Sequence, residues 1–188
     1  MKKYTWLTPY AGMVGIIFSA VSLYLWSSSV DLSAMHPITS NVLTLIYGVI
    51  FIVYWYGLAM VGKRYADKLL IGAAAFFCLS VALPNLMLVL YYTLPSFPPW
   101  LWSTWDALGY FLELGTGIAL ILAGIALMRL KKQFGDIAFW YGTCSMLTGA
   151  LLLAGNFGFS YITLFSMTLD VFLYVLGSMI LFRETHRR

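Results

Sequence analysis

The eleven Lys and Arg residues of this chain all fall in alternate gaps between its hydrophobic stretches, and that alternation dictates a membrane topology. Lys2 and Lys3 open the chain, Lys63, Arg64 and Lys68 share one gap, Arg129, Lys131 and Lys132 share another, and Arg183, Arg187 and Arg188 close it. Cytoplasmic segments retain Lys and Arg during insertion, so an even number of crossings with both termini in the cytoplasm is expected. At 62% hydrophobic and 10% charged, the chain has too few charges to cover an ordinary soluble surface. The expected class is an all-α integral membrane protein of the cell membrane, a multi-pass bundle of transmembrane helices forming one domain over 1–188.

A helix needs about 20 apolar residues to cross about 30 Å of hydrocarbon. Six such spans can be drawn, over 8–30, 42–62, 69–92, 107–129, 137–155 and 159–182. Only Asn156, Phe157 and Gly158 separate the last two, and a single merged span would break the alternation of basic gaps, so a tight outer hairpin is expected. The outer links over 31–41 and 93–106 are too short for a soluble domain. The start of the chain, with Lys2, Lys3 and Ser27 to Ser29, also fits the outline of a secretory signal. The long aromatic stretch ending in Tyr24 and Trp26 favours a first span. Gly57-Leu58-Ala59-Met60 before one basic loop and Gly124-Ile125-Ala126-Leu127 before the next form a faint internal echo, for which shared orientation is sufficient explanation.

The eleven basic residues share their side with only Asp67, Asp136 and Glu184, while Asp31, Asp106, Glu113 and Asp170 lie elsewhere without any base. Short basic loops beside a bilayer serve insertion and contact with anionic headgroups, so the lipid bilayer is the expected partner and nucleic acid is not. Small residues four apart at Ala11, Gly15 and Ser19, and eight apart at Gly109 and Gly117, mark faces for close helix packing. Tyr24, Trp26, Trp100, Trp102 and Trp105 suit the outer interface, and Trp6 and Tyr65 the inner one. Pro95, Pro98 and Pro99 among the outer tryptophans suggest a rigid lid.

The residues that carry chemical information are those out of place in hydrocarbon. Asp170 falls about 16 Å from the outer end of the sixth span and Glu113 about 9 Å into the fourth. Neither has a basic residue at its depth, so desolvation favours the neutral acid. At intervals of three and four, Thr163, Ser166, Asp170, Tyr174 and Gly177 form one polar stripe, and Asp106, Tyr110, Glu113 and Gly117 another. Asn85 follows Pro84, which removes a backbone donor from the third span. Asp106, at the outer rim with Trp105, is expected to cap the fourth span.

The expected site residues are therefore Asp170, Glu113, Asn85, Tyr174, Tyr110 and Ser166, with Asp106 and Trp105 at the mouth. An outward-opening cavity lined by acids attracts a small cation: a proton, a metal ion or an organic amine. The structural alternative has each acid protonated and hydrogen-bonded to a neighbouring helix. His36 and His186 both fall outside the spans, which excludes paired-histidine haem ligation and a buried histidine base. Cys78 and Cys144 stand alone, and no nucleophile, zinc or phosphate-loop motif is present. No catalytic residue, structural metal site or cofactor is expected. Transport or solute and cation binding is the leading reading; an accessory subunit, packed against partner membrane subunits or copies of itself, is the rival, and an intramembrane enzyme the third.

Overall fold

The computed structural model describes residues 6–27, 37–93, 99–155 and 160–186. Among these residues there are seven helices and no strand: α1 (Leu7–Ser27), α2 (Pro37–Arg64), α3 (Lys68–Thr93), α4 (Pro99–Arg129), α5 (Lys131–Phe134), α6 (Asp136–Gly155) and α7 (Ser160–His186). Four stretches are long and apolar enough to cross a membrane, namely Asn41–Arg64, Lys68–Tyr91, Ala107–Arg129 and Asp136–Gly155; α1 is apolar over Leu7–Val21. Large apolar side chains such as Ile17, Val49, Phe111 and Trp140 stand more than half exposed on the outside of the bundle. Such helices, apolar all round, are those of a protein associated with a membrane.

Two helices begin earlier than the hydrophobic pattern suggests. α2 starts at Pro37 and α4 at Pro99, the latter about two turns before the expected start. Proline suits a first helical position because its fixed φ is already helical and its missing N–H has no intrahelical partner to lose. Asp106 is consequently an interior residue of α4 rather than its cap. The proline-rich lid falls largely on residues outside those described.

The helices form a closed ring in the order α1, α2, α3, α4, α6, α7 and back to α1, with α2 also touching α7 across the middle. Glycines set the closest approaches. Gly117 and Gly124 on α4 meet Gly149 and Gly142 on the antiparallel α6, and a Cβ placed on Gly124 or Gly142 would lie 2.6 Å from the carbonyl oxygen of the other. Without side chains there, the backbones pack directly. Ser145 adds a hydrogen bond across this seam, from Oγ to the Leu120 carbonyl oxygen at 2.7 Å. Gly12 and Gly15 do the same for α1, lying against Ser178 and the ring of Tyr174 on α7.

The described basic loops gather at one end of the ring. Between α2 and α3 the chain turns through Ala66 at a φ of 56°, and Asp67 Oδ1 accepts the Leu70 backbone N–H at 3.0 Å, capping α3. Arg64 pairs with Glu184, which also accepts a hydrogen bond from the Tyr65 hydroxyl. Arg183 donates to the Phe134 carbonyl oxygen at 2.8 Å, and Tyr65 packs edge-on against the Phe134 ring. Beneath these contacts Leu58, Leu70, Ala126, Leu127, Phe134 and Ile180 are wholly buried. The basic end of the bundle is thus closely packed, and the larger spaces inside the ring lie at its middle and beyond.

Candidate functional site

Two adjoining cavities lie inside the ring, the larger in the half away from the basic loops and the smaller near the middle. The larger, about 600 Å³, is lined by Trp105, Gly109, Leu112, Glu113 and Thr116 on α4, by Ser80, Val81 and Pro84 on α3, and by Leu151, Leu152 and Gly155 on α6. Trp105 lies near the start of α4 and Gly155 ends α6, so this cavity reaches the end of the bundle opposite the basic loops. The smaller, about 110 Å³, lies deeper and is lined by Asp170, Leu173 and Tyr174 on α7, by Tyr47, Tyr54 and Trp55 on α2, and by Leu120 and Tyr141. Phe51, Phe77, Thr116 and Leu152 line both, and so form the wall between them.

Local sequence explains how the wall and chamber arise. On α2, Tyr47, Phe51, Tyr54 and Trp55 recur at intervals of three and four and present one aromatic face inward. Phe51 touches Tyr47, Trp55, Phe77 and Tyr174 in turn. Phe77 on α3 stacks on Trp55, with centroids 3.9 Å apart. Close packing of the large rings is possible because their neighbours are small: Gly15 lies beneath Tyr174, and Gly177 beneath the Tyr54 hydroxyl and the edge of Tyr141.

Asp170 lines this chamber together with Tyr47, Tyr54, Tyr141 and Tyr174. The hydroxyls are engaged elsewhere. Tyr54 donates to the Leu173 carbonyl oxygen at 3.0 Å and lies 3.3 Å from the Tyr141 hydroxyl, while those of Tyr47 and Tyr174 are 3.1 Å apart. Among the described residues, no side chain pairs with the Asp170 carboxyl. Asp170 is partly exposed and lines the chamber.

Of the residues expected at the site, Asp170 and Tyr174 come together in the smaller chamber, while Glu113 and Trp105 line the larger cavity. The two acids therefore stand on opposite sides of one aromatic wall. Glu113 is exposed, at the edge of an α4 face running through Trp105, Gly109, Leu112 and Thr116. Tyr110 turns outward, about half exposed, against Phe111. Asn85 lines neither cavity: its amide packs against Gly48 of α2 and donates to the Val81 carbonyl oxygen at 2.8 Å. The side chains of Ser166 and Asp106 lie outside those described.

Tyr47, Tyr54, Tyr141, Phe51 and Phe77 are the lining residues not foreseen. For Tyr47, Phe51 and Tyr54 the signal was the aromatic repeat on α2, which reads equally as ordinary core; Phe77 and Tyr141 come from α3 and α6. Cys78 is placed for packing, its Sγ 3.7 Å from the Ile52 carbonyl oxygen. Among the described residues, no three His, Cys, Asp or Glu side chains gather as a metal site. Compared with family models, curated proteins and solved structures, the chain matches none.

Proposed function

We propose that this chain is a single-domain protein of the cell membrane with six spans and both termini in the cytoplasm, and that it binds or carries a small cation at Asp170. The closed ring supports the six-span reading, since α1 and α7 complete the enclosure begun by the four long apolar helices. The gathering of described basic residues at one end supports the orientation. The solute enters the larger cavity from the outer side, where Glu113 and Trp105 stand, and passes the aromatic wall to the inner chamber. The Arg64–Glu184 pair and the buried residues below it close the way to the cytoplasmic side.

The observation that carries this reading is the setting of Asp170: an acid on the wall of an interior chamber, with no described basic side chain to neutralise it. A cation from outside supplies the missing charge. The test is native mass measurement in mild detergent, with identification of whatever small molecule is bound. A monomer or homo-oligomer carrying a cation or amine is expected. A stoichiometric complex with foreign membrane chains, and no bound cation, would make the protein an accessory subunit instead.

A further inference from the structure

The inner chamber has a chemical character narrower than that of a general cation site. Seven of its twelve lining residues are aromatic. It offers one carboxylate, that of Asp170, and among the described residues no second Asp or Glu lines it. Calcium takes six to eight oxygen ligands, usually including several carboxylates, magnesium needs an octahedral oxygen shell with several retained waters, and softer metals prefer histidine or cysteine. Neither donor set is present among the described residues lining the chamber. The tyrosine hydroxyls hydrogen-bond one another and the Leu173 carbonyl, and most of the remaining lining is aromatic and aliphatic carbon.

Ring faces carry negative electrostatic potential and attract cations that are weakly hydrated and partly apolar. A bare alkali ion would have to shed its water for few oxygens, whereas an alkylated ammonium loses little and gains apolar contact. Size gives a second limit. A chamber of about 110 Å³ is somewhat smaller than the ~150 Å³ apolar cavity that accepts benzene. We infer that the chamber at Asp170 takes a monovalent alkylated ammonium ion of up to about five non-hydrogen atoms, held by one carboxylate and the surrounding ring faces. This inference rests on the cation-binding reading above and specifies its ligand.

Calorimetric titration of the purified full chain in mild detergent tests it, with tetramethylammonium, tetrabutylammonium, potassium, calcium and zinc chlorides as separate probes. Tetramethylammonium should bind saturably, tetrabutylammonium should not, and Asp170→Asn should weaken the first by at least tenfold. Tyr47, only partly buried, separates ring from hydroxyl: Tyr47→Phe should stay within about threefold of the parent, and Tyr47→Leu should lose about tenfold. These two variants also decide the matter should Asp170→Asn fail to fold. Asp170-dependent binding of potassium, calcium or zinc without tetramethylammonium would overturn the ligand class and leave the cation reading standing. If no probe bound in an Asp170-dependent way, both would fall. Equal losses in Tyr47→Phe and Tyr47→Leu would assign the contact to the hydroxyl and overturn the ring-face argument.

Discussion

Phe77 stacks on Trp55 with ring planes 17° from parallel, and in that position it belongs to the walls of both cavities. Its ring is 2% exposed, held between α2 and α3 while standing between Glu113 and Asp170. A solute moving from the larger cavity to the smaller passes this ring and the neighbouring Phe51.

Shortening this side chain should therefore speed exchange. Phe77→Leu keeps the site apolar and costs on the order of 1–2 kcal/mol of stability. Tetramethylammonium release from this variant, followed by rapid dilution, should be at least several-fold faster than from the parent. An unchanged release rate in a folded variant would place the barrier elsewhere.

Glycine substitutions should separate packing from propensity. Gly142→Ala drives a methyl group toward the Gly124 carbonyl oxygen and the Met128 side chain, and should lower stability by about 1–3 kcal/mol. Gly72→Ala meets nothing within 4 Å, and should be neutral or stabilise by up to about 1 kcal/mol through helix propensity. Thermal unfolding in one detergent checks both.

Ala66 is the one non-glycine residue among those described with a positive φ. A left-handed conformation costs an L residue roughly 1–2 kcal/mol. Ala66→Gly relieves that and adds backbone freedom to the unfolded chain, so a net gain of about 0.5–1 kcal/mol is expected. A lowered melting temperature would contradict the conformational argument.

At the basic end, Glu184 has a side chain 7% exposed and Arg64 one 40% exposed. Arg64→Ala leaves a nearly buried carboxyl with only the Tyr65 hydroxyl, and should cost about 1–2 kcal/mol, less than a fully buried pair because Arg64 is partly in water. Glu184→Gln should cost less than Arg64→Ala, since the amide oxygen still accepts a hydrogen bond. Chemical or thermal unfolding of the two variants checks the order.

Much of the architecture was legible in the sequence, because hydrophobic length and the placement of basic residues are properties of one chain segment at a time. The all-helical character and the membrane-length apolar helices followed from them. Helix starts were less legible: Pro99 begins α4 in a stretch that hydropathy alone assigns to a loop. The joint placement of Asp170 and Tyr174 could be read from their four-residue spacing. Whether Glu113 shares their cavity depends on how α4 is rotated against α3 and α6, and the glycines that fix that rotation come from two helices. The pairing of Glu184 with Arg64 was not legible, since the two lie 120 residues apart.

Whether an alkylated ammonium ion occupies the chamber at Asp170 is decided by thermal unfolding of the full chain in mild detergent. Melting temperatures of the parent and of Asp170→Asn are compared with and without saturating tetramethylammonium. A ligand present at a hundredfold its dissociation constant stabilises the folded state by about 2.7 kcal/mol. A saturable rise is expected for the parent, none for Asp170→Asn, and nearly equal melting temperatures without ligand. An equal rise in both proteins, or none in either, would contradict occupancy of the chamber.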